Sequence, residues 1–281
     1  MNHCDFFIFF MPESRSFRMD KKIRIGALIS GGGTNLEAII ESCKSGKIDG
    51  EVVFIGSDNP NARGLERGRD HGIPTFTADY KGIIQDIRES PEKIMPPDDF
   101  DINEVISKQS LFSRVLDTEK MKFFIVTRVI AEAELLEKMK PYPFDLLVLA
   151  GFMRTLTPYF IDRVNTDYDN PRIMNVHPSL LPAFPGTDGY GDTFRYGCKI
   201  GGCTIHFVDY GEDTGPIIGQ KIFEIHKHDT LDTIKKKGLK LEWKLYPECI
   251  QAFAERRLKT VSMSHTLKNG RKVTRRVVKI T

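Results

Sequence analysis

Two side chains in Met174-Asn175-Val176-His177-Pro178-Ser179-Leu180-Leu181-Pro182 can do chemistry together. Ile173 and Val176 suit a strand, and Pro178 and Pro182 end any regular element after it. Residues i and i+2 of a strand share a face, so Asn175 and His177 project together from the strand end. An amide can donate to a developing oxyanion, and an imidazole can move a proton near neutral pH. Taken alone, the pair also reads as a hydrogen-bonded strand end. The weight comes from Gly202 to Ile218, a strand that breaks into a Gly-bounded acidic loop and resumes. Asp213 in that loop can return a carboxylate to His177, which favours the imidazolium.

A second constellation lies near the start of the chain. Ile23 to Ile29 is a near-continuous apolar run, as in a parallel strand buried on both faces. Ser30-Gly31-Gly32-Gly33-Thr34-Asn35 follows, and Leu36-Glu37-Ala38-Ile39-Ile40 opens a helix that should end near residues 44–46. Strand, glycine loop and helix N-terminus together make an anion site. No Gly-Lys-Ser/Thr follows, so it is not a Walker loop, and the dinucleotide register of glycines is missing. A purely structural glycine turn is the competing reading.

Asn175-x-His177-Pro178-Ser179-Leu180-Leu181-Pro182, then Phe184-Pro185-Gly186, His206-Phe207-Val208 and Asp213-x-Gly215-Pro216, in this order, resemble the folate-dependent formyltransferases. Within them the pattern is most similar to the members that formylate a small ribonucleotide in purine synthesis. The resemblance covers roughly residues 22–80 and 128–260. It implies transfer of a formyl group from 10-formyltetrahydrofolate to the amine of glycinamide ribonucleotide (5'-phosphoribosylglycinamide), without a metal or a covalent intermediate. Asn175, His177 and Asp213 are then the catalytic residues. Gly33, Thr34 and Asn35 hold the ribonucleotide phosphate. Arg128, Met153, Arg154, Thr155 and Leu156, with Asn175, contact the folate. For Arg128 a solvated charge at a helix start is the competing reading. A formyltetrahydrofolate hydrolase, or transfer to another amine, uses the same module. A tRNA formyltransferase needs a larger basic C-terminal domain than the short tail here, and a folate-binding protein without turnover would not need all three catalytic positions.

The 281 residues are 40% hydrophobic and 28% charged with a net charge of +3, an ordinary balance for a globular protein and too even to imply nucleic acid. The five cysteines, Cys4, Cys43, Cys198, Cys203 and Cys249, form no CxxC, as expected for reduced thiols in the cytoplasm. His206, His226 and His228 lack metal-ligand spacing, and His206 reads as a strand residue or a neighbour of the catalytic groups. Partners are small molecules, with no nucleic acid and no membrane, and a homodimer is left open.

The elements that must position these residues read as alternating strands and helices. The fold class is α/β: an open, mostly parallel twisted sheet with helices on both faces (Rossmann-like), plus a C-terminal β-hairpin. Strands are expected at 51–57, 74–77, 144–150, 204–209 and 217–225, and helices at 63–71, 127–139, 194–198 and 229–253. Pro247 should kink or split the last helix, and Trp243 reads as core. In the helix over 127–139, Val129, Ala133, Leu136 and Lys140 mark one stripe and Glu132 lies outside it. Residues 21–260 form the transferase domain, with an insertion at about 81–127 read as a loop carrying one or two short helices. Residues 1–20 read as an N-terminal extension, disordered or from a non-native start, with Met19 as the natural first residue. Residues 183–192 are Gly-rich and a lid candidate. Residues 261–281 form a hairpin tail about Asn269-Gly270, with a type I′ turn expected. Its Lys268, Arg271, Lys272, Arg275, Arg276 and Lys279 read as the charged guard of an exposed edge.

Overall fold

Apolar runs without alternation need cover on both faces, and the chain provides it. The computed structural model describes residues 22–90, 95–111 and 118–281. The N-terminal extension and parts of the insertion lie outside them. Among the described residues, β1 (Ile23–Ile29), β2 (Gly50–Ser57), β3 (Thr75–Thr77), β4 (Leu146–Leu149), β5 (Ile173–His177), β6 (Ile200–Phe207) and β7 (Ile217–Glu224) form one sheet of order β3-β2-β1-β4-β5-β6-β7. The first five run parallel, and β6 and β7 are antiparallel to their neighbours. Chain order reverses between β1 and β4, which opens a crevice at their carboxyl ends, where ligands bind in such sheets.

One face of the sheet is covered by α1 (Thr34–Lys44) and α8 (Leu231–Ala254), joined in a core with Ile25, Ile55, Val148, Ile205, Tyr246 and Ile250. The other carries α3 (Tyr80–Glu89), α5 (Thr118–Met139) and α6 (Pro158–Val164), packed on Leu28, Phe54, Leu147 and Ile173. α2 (Arg63–Asp70) follows β2, and α4 (Ile102–Lys108) joins α5 and α6 through Val105, Ile125, Val129 and Tyr159.

Several expectations change. The insertion is more helical than expected: α5 begins at Thr118, so Arg128 sits in mid-helix. Asp79 caps α3 by accepting from Gly82 N at 3.1 Å, and Asp101 caps α4 by accepting from Asn103 N at 2.8 Å. Glu132 is fully buried, not on the solvent face, because α5 is covered on two sides. The helix expected at 194–198 is α7 (Gly189–Arg195), drawn from the Gly-rich segment by burial of Tyr190 and Thr193. The short α6, started by Pro158, was not expected. α8 passes through Pro247 unbroken, because burial of Leu245, Tyr246, Cys249 and Ile250 around it outweighs a cost of about 3 kcal/mol. Trp243 on the same helix is 39% exposed and so outside the core.

The tail hairpin is β8 (Leu258–Thr266) paired with β9 (Lys272–Ile280). Its connection is not type I′. Gly270 alone in the turn has positive φ, at 79°, with Gly270 N donating to Leu267 O and Leu267 N to Arg271 O. That is a type I turn closed by a left-handed glycine, the three-residue alternative. No helix among the described residues is long and apolar enough to cross a membrane.

Candidate functional site

A pocket of about 510 Å³ opens at the carboxyl ends of β1, β4 and β5, lined by residues 31–35, 149–156 and 175–178 together with side chains from α7, α8 and the loop after β6. Asn175 is half-buried on β5, and His177 is 2% exposed. The acidic loop does return its carboxylate: Asp213 Oδ2 lies 3.2 Å from His177 Nδ1. The other ring nitrogen, Nε2, is 2.8 Å from the Phe184 carbonyl. Both nitrogens thus face acceptors, the arrangement that suits an imidazolium.

Asp213 is held from three sides. Gly186 N donates to Oδ2 at 2.8 Å, and His206 Nε2 lies 3.6 Å from Oδ1. Burial works to raise its pKa, but the imidazoles of His206 and His177 and the Gly186 amide prevail and hold the carboxyl below the usual aspartate range. His206 Nδ1 is 2.9 Å from the Phe207 carbonyl, and its Nε2, which also faces Asp213, is 3.1 Å from Asn175 Nδ2. The Asn175 side chain borders the pocket. His206 is therefore a neighbour of Asn175 and Asp213. The Phe184 carbonyl is fixed in turn: Phe184 has φ 54°, and Ser179 Oγ donates to Ala183 O at 2.5 Å and to Phe184 O at 3.2 Å. Thr204, invisible to motif reading, ties β6 to this turn by donating to Ser179 O at 2.7 Å and accepting from Leu181 N at 3.0 Å.

The glycine loop enters the same pocket. Gly33 has φ 69°, and a Cβ there would lie 2.8 Å from Gly64 Cα on α2. The close approach therefore requires glycine. Arg67 Nε donates to Gly32 O at 2.9 Å and Nη1 to Glu37 at 3.0 Å, which pins the loop from outside. The first intrahelical bond is Glu37 N to Gly33 O, so the amides of Thr34 to Leu36 precede the helical ladder. The Asn35 side chain is occupied: Nδ2 donates to Glu242 Oε2 at 2.7 Å. Glu242 on α8, 4% exposed, also accepts from Tyr190 at 2.5 Å. Gly238, one turn earlier, makes room for Tyr190, whose Cζ would lie 2.1 Å from a Cβ at that position. Sequence reading missed Glu242. Its signal was a lone acid in the apolar stripe of a long helix, flanked by Leu239 and Tyr246.

On the other side of the pocket, Thr155 is half-buried, Leu156 is 4% exposed, and Met153 N donates to Ser30 Oγ at 2.7 Å. Arg154 Nε is paired with the buried Asp58. Arg128 does not line the pocket. It stacks on Phe124 (4.9 Å) and shares the ring of Tyr80 with Arg154 (5.5 and 5.6 Å), and its Nε and Nη1 are buried without a hydrogen-bond partner. It is not a solvated helix-start charge. Burial first, and then the neighbouring Arg154, lower its pKa.

Glu132 lies one turn along α5 from Arg128 and accepts from Thr157 N at 2.7 Å and from Thr157 Oγ1. Burial pushes its carboxyl up to about 8 against these bonds. A raised carboxyl pKa favours the fold at low pH, and that contribution is lost as pH rises from about 4.5 through about 8. Glu132→Gln keeps the shape without the charge. Denaturant titrations at pH 5 to 8 should show wild-type stability falling, by up to about 1.4 kcal/mol per pH unit, against a flatter line for the variant. Parallel lines would refute it.

Glu37, Glu41 and His71 form the one trio of His, Cys, Asp or Glu among the described residues whose ligand atoms lie within 4.8 Å of one another. They sit outside the pocket, where Glu37 is paired with Arg67 and His71. The cysteines Cys43, Cys198, Cys203 and Cys249 are free.

On this doubly wound fold, a switch-point crevice brings together an Asn-x-His pair, a buried carboxylate behind it and a glycine loop opposite, a constellation able to serve group transfer. The Formyl transferase family model matches residues 23–250, and the chain belongs to that family. It is 34% identical over 228 residues to phosphoribosylglycinamide formyltransferase of Bacillus subtilis (strain 168), covering 81% of this chain and 93% of that protein. Against the Escherichia coli (strain K12) protein of the same name it is 32% identical over 237 residues, 84% of this chain and 90% of that one. Among solved structures, glycinamide ribonucleotide transformylase 1 from Symbiobacterium toebii superposes with a TM-score of 0.63 at 33% identity, covering 95% of this chain and 98% of that chain.

Proposed function

We infer that this chain transfers a formyl group from 10-formyltetrahydrofolate to the amine of 5'-phosphoribosylglycinamide in purine biosynthesis. The observation that carries this reading is the Asn175, His177 and Asp213 cluster facing the glycine loop across one pocket. Relatives bearing that activity in their names, matched over nine-tenths of their length, support it.

The substrate amine attacks the formyl carbon and a tetrahedral oxyanion forms. Asn175, beside His206, donates an amide N–H to that oxygen. His177, charged and set by Asp213 and the Phe184 carbonyl, places an imidazolium beside the same oxygen. The amine loses a proton and the folate nitrogen gains one as the C–N bond to folate breaks. His177 serves as the acid for that return, through solvent admitted beside Asp213. Free amides at the start of α1 take the ribonucleotide phosphate. Asn35 and Glu242, bonded to each other in the pocket lining, border the ribonucleotide. Residues 151–156, with Arg154, border the folate. Residues 21–260 act as the transferase domain, and the chemistry requires no metal.

The test is an absorbance assay of formyl-folate deformylation with and without glycinamide ribonucleotide. Deformylation that requires the ribonucleotide is expected. Deformylation without it would make the protein a hydrolase, and none in either condition would reject transfer to this amine.

A further inference from the structure

A second cavity, of about 680 Å³, opens at the other end of the sheet. Phe144 and Arg172 line it, just ahead of β4 and β5, whose carboxyl ends carry the pocket described above. α5 adds Leu136 and Lys140, α6 adds Tyr159 and Arg163, and the insertion adds Asp99. Asp99 fixes one side. It accepts from Tyr159 Oη at 3.2 Å and from Arg163 Nη2 at 2.6 Å, and the Arg163 guanidinium carbon lies 3.4 Å from the centre of the Tyr159 ring. Of the five charged residues in the lining, three are cations. The two acids are already paired, Asp99 with Arg163 and Glu137 with Lys140. Arg172 is half-buried and forms no ion pair among the described residues. Its Nε and Nη2 donate instead to the main-chain carbonyls of Asp145 (3.0 Å) and Phe144, and its guanidinium lies 5.0 Å from the centre of the Phe144 ring. Burial lowers its pKa although Asp145 acts to raise it.

A guanidinium held by carbonyls keeps its full charge, and taking that charge out of water costs free energy that a bound anion would offset. The walls around it are rings and aliphatic side chains, which suit a flat apolar body carrying one charged group. We propose that this cavity is a second ligand site, for a small flat aromatic anion whose charge is met by Arg172 and Arg163 and whose ring packs on Phe144 and Leu136. The insertion then has a task, because its Asp99 sets the Arg163 guanidinium against Tyr159 at the edge of that site. The cavity shares no lining residue with the first pocket, so the proposal stands apart from what the first pocket binds.

The experiment is calorimetric titration of the full chain with 2-naphthoate, and with 2-naphthamide as its uncharged counterpart. Arg172→Gln and Arg163→Gln remove one cation each from the cavity, and Arg154→Gln removes one from the first pocket. Thermal unfolding checks each variant, and Arg163→Gln carries the test alone if Arg172→Gln melts early. The native protein should bind 2-naphthoate about tenfold more tightly than the amide, the size of one charge-assisted hydrogen bond. Each cavity variant should lose about the same factor for 2-naphthoate and leave the amide unchanged, while Arg154→Gln should bind both like the native protein. No binding of 2-naphthoate, equal binding of acid and amide, or affinity untouched by a folded cavity variant overturns the proposal. Loss in Arg154→Gln alone would place the anion in the first pocket and overturn it too.

Discussion

His177→Ala is expected to lower kcat by about 10²- to 10⁴-fold, the range for loss of a positioned general acid, with folate affinity changed by no more than a few-fold. The side chain is nearly inaccessible, so substrate gains little binding from it, whereas in the proposed mechanism the oxyanion and the leaving nitrogen depend on its charge. Removing the ring also leaves Asp213 Oδ2 and the Phe184 carbonyl without their imidazole donor. Thermal unfolding should accompany the kinetics. A variant that melts like wild type and still turns over at its rate would remove His177 from the mechanism.

Asp213→Asn is expected to cost a similar factor in kcat, for a different reason. Asparagine is the mildest substitution at φ 54°, a conformation that Asn and Asp tolerate better than other side chains. Its amide oxygen can still accept from Gly186 N, so the loop should keep its shape. What disappears is the negative charge behind His177. Because the Asp213 pKa is depressed, the carboxylate is present throughout the neutral range, and its stabilising contribution is lost only as pH falls below the ordinary aspartate value. The pH profile therefore discriminates. Wild-type activity should fall at acid pH as Asp213 becomes protonated, a limb that the variant should lack. An unshifted profile with unchanged kcat would show that the carboxylate is dispensable.

The parallel strands were legible because burial on both faces leaves an unbroken apolar run, as in Ile23 to Ile29. Asn175 and His177 were legible because strand periodicity converts a spacing of two into a shared face. Asp213 followed from a loop bounded by glycines. Glu132 was not legible, since one acid on an amphipathic helix carries no mark of a second packed face. Glu242 was missed for the related reason that its partners, Asn35 and Tyr190, are distant in sequence. α7 was hidden by its own glycines, whose poor helix propensity is overridden by burial of Tyr190. Arg128 was found through resemblance, but its place beneath Arg154, away from the pocket lining, depends on a helix beginning nine residues earlier than expected.

The Phe184 carbonyl and the Gly186 amide, two residues apart, grip His177 and Asp213 respectively. Part of the field around His177 and Asp213 is therefore supplied by peptide dipoles, which do not titrate. Alanine at Phe184 or Thr187 would leave both groups in place and understate the segment's importance. Replacing one amide there with an ester linkage, which weakens the carbonyl or deletes the N–H while leaving every side chain in place, would expose it.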